Sequence, residues 1–181
     1  ACVSATANDL GESPCWDADA RRLYWIDAWR TEVHAFDPAT RETSFVDLGP
    51  ALAGLPLGSI ACKAGGGLIG GVKGGFHHLD LVPPAARLIA AVEADRPSTN
   101  RLNDGKCDRA GRFWCASVNT DHRTPTAALW RLEQGTAPVL MVNSAIKNSA
   151  RAMREEHRGS VAKVFMAVGL GSLSRSARDE N

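Results

Sequence analysis

Short alternations of apolar and polar residues recur along the first two-thirds of this chain, and none is long. "RLYWID" (Arg22–Asp27) and "EVHAFD" (Glu32–Asp37) switch side every second residue, the period of a strand with one buried face. Three segments repeat one pattern: "SPCWDADARRLYWID" (Ser13–Asp27), "GSIACKAGGGLIGGV" (Gly58–Val72) and "NDGKCDRAGRFWCAS" (Asn103–Ser117). Each predicts a strand, a polar or glycine turn, and a second strand. The turns fall at Asp17–Arg22, Lys63–Gly67 and Asp108–Arg112. Each unit then runs into a further strand ending in an apolar–acidic step: Phe36-Asp37, Leu79-Asp80 and Leu132-Glu133. "DPATRET" after Phe36 carries the Pro and Thr of a hairpin turn.

Tyr24, Ile69 and Phe113 anchor the three units at spacings of 45 and 44 residues. A period of about 40–50 residues built from short strands is the mark of a β-propeller blade. Helical repeats of that length need long 3.6-period faces, which these segments lack. A generic antiparallel sandwich competes, but the regular spacing favours the propeller. At about 45 residues per blade, 181 residues hold about four blades, of which three are visible. The expectation is therefore an all-β, incomplete propeller of about three to four blades over residues 1–148. Residues 149–181 form a divergent tail. "SARAMREEHR" within it is rich in helix formers, and "GLGSLSRSARDEN" reads as disordered. That tail is either a diverged fourth blade or foreign sequence.

Composition narrows the function. A net charge of +1, without a basic stripe or acidic tail, gives no argument for nucleic acid. The longest apolar runs, such as Leu88–Val92 and Val164–Leu170, fall far short of the roughly 20 residues of a membrane span. The start "ACVSATANDLGESP" has no charged segment or apolar core of a signal peptide, and its abruptness fits a fragment. Five cysteines, with no C-x-x-C pair, argue against a disulfide scaffold or zinc ribbon. Reduced thiols in a cytoplasmic protein are the expectation.

The densest chemistry lies in "NRLNDGKCDRAGRFW" (Asn100–Trp114), which reads as a polar loop, either an ordinary turn or part of a binding site. Adjacent His77 and His78 point to opposite faces of a strand and cannot easily share a metal. The five tryptophans (Trp16, Trp25, Trp29, Trp114 and Trp130) are expected between blades. Gly65–Gly67 lacks the helix start of a phosphate loop and reads as a turn. Cys107 and Cys115 have no evident histidine partner for nucleophilic catalysis.

"LGESPCWD", "LYWIDAWRTEVHAFDP", "LPLGSIACKAGGGLIGGVKGGF" and "RLNDGKCDRAGRFWCAS" together resemble the gluconolactonase/regucalcin-like family, also called the senescence-marker-protein family. The resemblance spans Gly11 to Asn148. It implies a six-bladed propeller with a divalent cation in its channel, and hydrolysis of a sugar lactone to the aldonic acid. It implies Glu12 as a metal ligand, and Arg101 and Asn103 as substrate contacts. Asp121 occupies the region of a further substrate carboxylate. Asn148, in "AIKNSA", matches a second metal ligand, although Ser149 stands where the family has Gly. The family's last ligand is an Asp one blade further on, which is also its general acid/base. The segment that should carry it is absent, Asp179 has none of its context, and no catalytic residue is assigned.

Carboxylate and amide oxygens suit hard cations, Ca²⁺ first and Mg²⁺ or Mn²⁺ after it, with Zn²⁺ on oxygen ligands a further choice. Arg101 offers a planar fork of donors, and Asn103 both donates and accepts, which suits sugar hydroxyls. Asp104 and Lys106 are read as loop stabilisers. The expected partner is a small sugar lactone, with neither nucleic acid nor membrane involved. Open strand edges would favour self-association. Two alternatives remain: a non-catalytic metal- or sugar-binding fragment, and a related esterase or phosphotriesterase.

Overall fold

The computed structural model describes residues 4–96, 98–121 and 124–143. Among them no residue is helical. The strands are β1 (Gly11–Asp17), β2 (Arg22–Asp27), β3 (Glu32–Asp37), β4 (Glu42–Asp47), β5 (Leu57–Cys62), β6 (Leu68–Val72), β7 (Gly75–Leu81), β8 (Pro84–Ala91), β9 (Asn100–Cys107), β10 (Phe113–Asn119), β11 (Ala128–Leu132) and β12 (Val139–Asn143). They form three four-stranded antiparallel sheets in chain order, β1–β4, β5–β8 and β9–β12.

The three repeat turns close the first hairpin of each sheet. In the second, Gly65, Gly66 and Gly67 all take positive φ, with Lys63 N–H donating to Gly67 O at 3.0 Å. That run of left-handed backbone is open to glycine at no steric cost. In the third, Asp108 N–H donates to Arg112 O at 3.0 Å.

The first strands of the three sheets lie side by side. Ser13 on β1 meets Ile60 on β5, its Oγ accepting the Ile60 N–H at 2.8 Å and donating to Ile60 O at 3.2 Å. Two residues on, Cys15 Sγ lies 3.4 Å from Cys62 Sγ. These pairs advance together, so β1 and β5 run parallel. On the other side of β5, Gly58 touches the β9 backbone at Leu102 and Asn103. Lys106 Nζ on β9 donates to Pro14 O on β1 at 2.8 Å. Three sheets with their first strands innermost are three successive blades of an incomplete β-propeller.

Apolar faces pack between neighbouring blades. Ile26, Val33, Leu48, Leu57, Ile60, Val72 and Leu79 fill the space between the first and second blades. Phe76, Leu102, Phe113, Cys115 and Leu132 do so between the second and third. Phe76 and Phe113 meet edge-on at 5.9 Å, a favoured aromatic geometry.

Two expectations need correction. Asn100–Cys107 is not a loop but the inner strand β9, and only Asp108–Arg112 turns. Asn and Asp favour turns in isolation, but pairing with β10 and packing on β5 override that preference. Nor do all five tryptophans pack between blades, because Trp16 is 52% and Trp29 75% exposed. The reading of residues 149–181 as a tail, and the position of Asn148, lie outside the described residues.

Candidate metal and substrate site on the inner strands

Each inner strand carries one extra residue at the same place. On β1, Glu12 faces Ile26 and Cys15 faces Tyr24, so Ser13 and Pro14 share the space opposite Trp25. On β5, Leu57 faces Val72 and Ser59 faces Gly71, which leaves Gly58 extra. On β9, Leu102 faces Ser117 and Gly105 faces Cys115, so Asn103 and Asp104 share the space opposite Ala116. Ser13, Gly58 and Asn103 follow one another at intervals of 45 residues. A bulge suspends the strict alternation of a strand and re-aims its side chains, which is why bulges gather beside functional sites. Ser13 takes φ 53°, uncommon for a residue with a Cβ. Its two bonds to Ile60 hold that conformation next to Glu12.

Glu12 and Asn103 are half-buried, and neither side chain has a hydrogen-bond or ion-pair partner among the described residues. Among the described residues Arg101, also half-buried, donates to the Leu102 carbonyl at 3.4 Å and to no carboxylate. Half-buried side chains without a partner among the described residues keep their donors and acceptors for solvent or a ligand.

Asp121 behaves differently. It lies just past β10, whose Val118 and Asn119 pair with Arg101 and Asn100, so it stands at the Arg101 end of the third blade. Its carboxylate accepts the Thr124 N–H at 2.9 Å and the Thr124 hydroxyl at 2.6 Å. Its oxygens thus hold their own turn closed.

Asp104, read from the sequence as a stabiliser, accepts the Gly105 N–H at 2.8 Å. Burial raises its pKa, and the charge of Glu12 raises it further, against the Gly105 N–H and Lys106, which lower it. Glu12 on the first blade and Asp104 on the third therefore feel one another across the inner face. Lys106 does tie strands together as a stabiliser, but between blades rather than within a loop.

Burial lowers both His77 and His78, which sit on β7, the third strand of its blade. Burial pushes the Cys115 thiol up to about 12. Among the described residues no cluster of three His, Cys, Asp or Glu could hold a metal. The donor set that remains is carboxylate and amide oxygen, the chemistry of a hard cation.

A family model for the SMP-30/Gluconolactonase/LRE-like region matches residues 10–159. The chain belongs to this family. Regucalcin of Xenopus laevis is 30% identical over 122 residues, covering 67% of this chain and 39% of that protein. The pentonolactonase XacC of Haloferax volcanii is 30% identical over 160 residues, covering 86% of this chain and 50% of that protein. The crystal structure of a regucalcin from Agrobacterium tumefaciens, described as a calcium-binding protein, superposes with a TM-score of 0.67 at 20% identity. It covers 78% of this chain and 45% of that one. The chain thus spans about half, or less, of the length of these relatives.

Proposed function

We propose that this chain carries the first half of a metal-dependent sugar lactonase site, with Glu12, Arg101 and Asn103 as its described part. The observation that carries the reading is the set of half-buried polar side chains on the inner strands without partners of their own. Its family membership and the lactonase among its relatives support the same reaction class.

In this reading Glu12 holds a divalent cation, Ca²⁺ first, together with Asn148. When bound, the cation polarises the lactone carbonyl. Arg101 presents its fork of donors to sugar hydroxyls or to the carboxylate of the product. Asn103 fixes a hydroxyl by donating and accepting at once. Arg101 and Asn103 stand two residues apart on β9, the spacing that shares one side of a strand, and Gly58 lets β5 approach β9 closely beside Asn103. Asp121 orders the turn beside Arg101 and contributes to substrate binding through that position. The residues that move the proton belong outside the described strands.

Hydrolysis of a sugar lactone, followed by proton release with and without Ca²⁺, tests the reading. Turnover that chelation removes and that Arg101→Ala lowers by ten-fold or more supports it. A panel of aryl esters and phosphotriesters that turn over while lactones do not contradicts it. The second reading, a binding fragment without turnover, is favoured by one observation: Asp104, whose pKa the charge of Glu12 helps raise, is itself committed to the Gly105 N–H at 2.8 Å. Ca²⁺ and aldonate binding without hydrolysis would select it.

A further inference from the structure

We propose that Cys15 and Cys62 form a reversible disulfide clamp between the first two blades, closed by a low-molecular-weight disulfide. Their Sγ atoms lie 3.4 Å apart on parallel inner strands that run side by side. A side-chain rotation that closes this gap to the roughly 2.05 Å of an S–S bond needs no exchange of strands. Both residues are half-buried, so a small reagent can reach them.

The two thiols differ in chemistry. Cys62 is lowered by its hydrogen bond with Cys15, against burial and the charge of Asp17. Cys15 is raised by the same bond, by burial and by the charges of Cys62 and Cys107, against Lys106. Cys107 is raised by burial and Asp108, and Cys115 is fully buried and raised. Cys62 is the one described thiol that is lowered, which makes it the first nucleophile of the pair. No trio of donors among the described residues converges to hold a metal instead.

Oxidised glutathione serves as the probe. The Cys62 thiolate attacks one of its sulfurs, the S–S bond breaks and one glutathione thiolate leaves. Cys15 then gives its proton to that thiolate, and its sulfur attacks Cys62 Sγ in the mixed disulfide, displacing the second glutathione. Two protein thiols and one glutathione disulfide become one protein disulfide and two glutathione thiols. The clamp is independent of the lactonase reading.

Non-reducing peptide mapping of the whole chain after this treatment is the test. The expected result is a peptide pair joining Cys15 to Cys62, lost on reduction. Cys15→Ser should trap glutathione on Cys62 as a mixed disulfide that no second protein thiol resolves. The wild-type map needs no variant, so a variant that fails to fold leaves the test standing. A dominant link to Cys107, a link between two chains, or no link at all overturns the proposal. So does protection of Cys15, Cys62 and Cys107 together by Zn²⁺ alone, which would make the group a metal site.

Discussion

Asp108 and Glu12 are both half-buried carboxylates, and they differ in what surrounds them. Burial alone would raise Asp108, but the Trp114 indole N–H, the Arg112 N–H and guanidinium and the Ala110 N–H outweigh it and hold its pKa down to about 2. Those bonds are short: 2.9 Å from Trp114 Nε1 and 2.6 Å from Arg112 Nε. An unfolded Asp titrates near 3.8, so this stabilisation is full above that value and disappears as pH falls through about 2. Asp108→Ala should cost about 1–3 kcal/mol at neutral pH, since it orphans the indole N–H. It should also flatten the loss of stability between those two pH values, as read by urea unfolding across the acid range. Glu12→Gln should do the reverse. With no partner among the described residues to lose, its stability should change by less than about 0.5 kcal/mol. Its Ca²⁺ affinity should fall by more than about ten-fold, a scale on which even outer-shell groups act. A large loss of stability with unchanged Ca²⁺ binding would make Glu12 a scaffold residue.

At the scale of the strand, the bulges set the site. A Cβ on Gly58 would run into Leu102 O and stand 2.8 Å from Asn103 Cα. Gly58→Ala should therefore overpack the β5–β9 seam by about 1–3 kcal/mol. Because it pushes on Asn103 itself, sugar-acid binding should weaken together with stability. A thermal midpoint unchanged from wild type would show that β9 can give way. The turns were legible in the sequence because Gly65–Gly67 and Asp108 carry their own conformational chemistry. Strand β9 was not, because "NRLNDGK" has the composition of a turn and the bulge at Asn103–Asp104 erases its alternation. What makes it a strand is the neighbouring blade, and pairing across blades has no local signature. The same holds for Glu12. Its residue type allowed a turn acid or a ligand, and only the resemblance separates them.

At the scale of the molecule, the blade spacing predicted the architecture, since one period per blade is visible without any tertiary knowledge. The cores belong to the seams between blades rather than to any one sheet. The three described blades should therefore unfold in one transition instead of three, which coincidence of tryptophan fluorescence with far-UV circular dichroism would check. Phe45 and the β12 residues Val139, Leu140 and Met141 are exposed. Apolar surface and strand edges of this kind favour pairing between chains. Light scattering should show mass rising with concentration, and a constant monomer mass would contradict this.

The central claim is that Glu12 and the Arg101–Asn103 pair, far apart in sequence, serve one ligand. Calorimetric titration of an aldonic acid, with and without Ca²⁺, tests it most directly. The account predicts binding that needs Ca²⁺ and is lost in both Glu12→Gln and Arg101→Ala. Sugar-acid binding of equal strength without the cation, or in Glu12→Gln, would place the two on separate sites and contradict it.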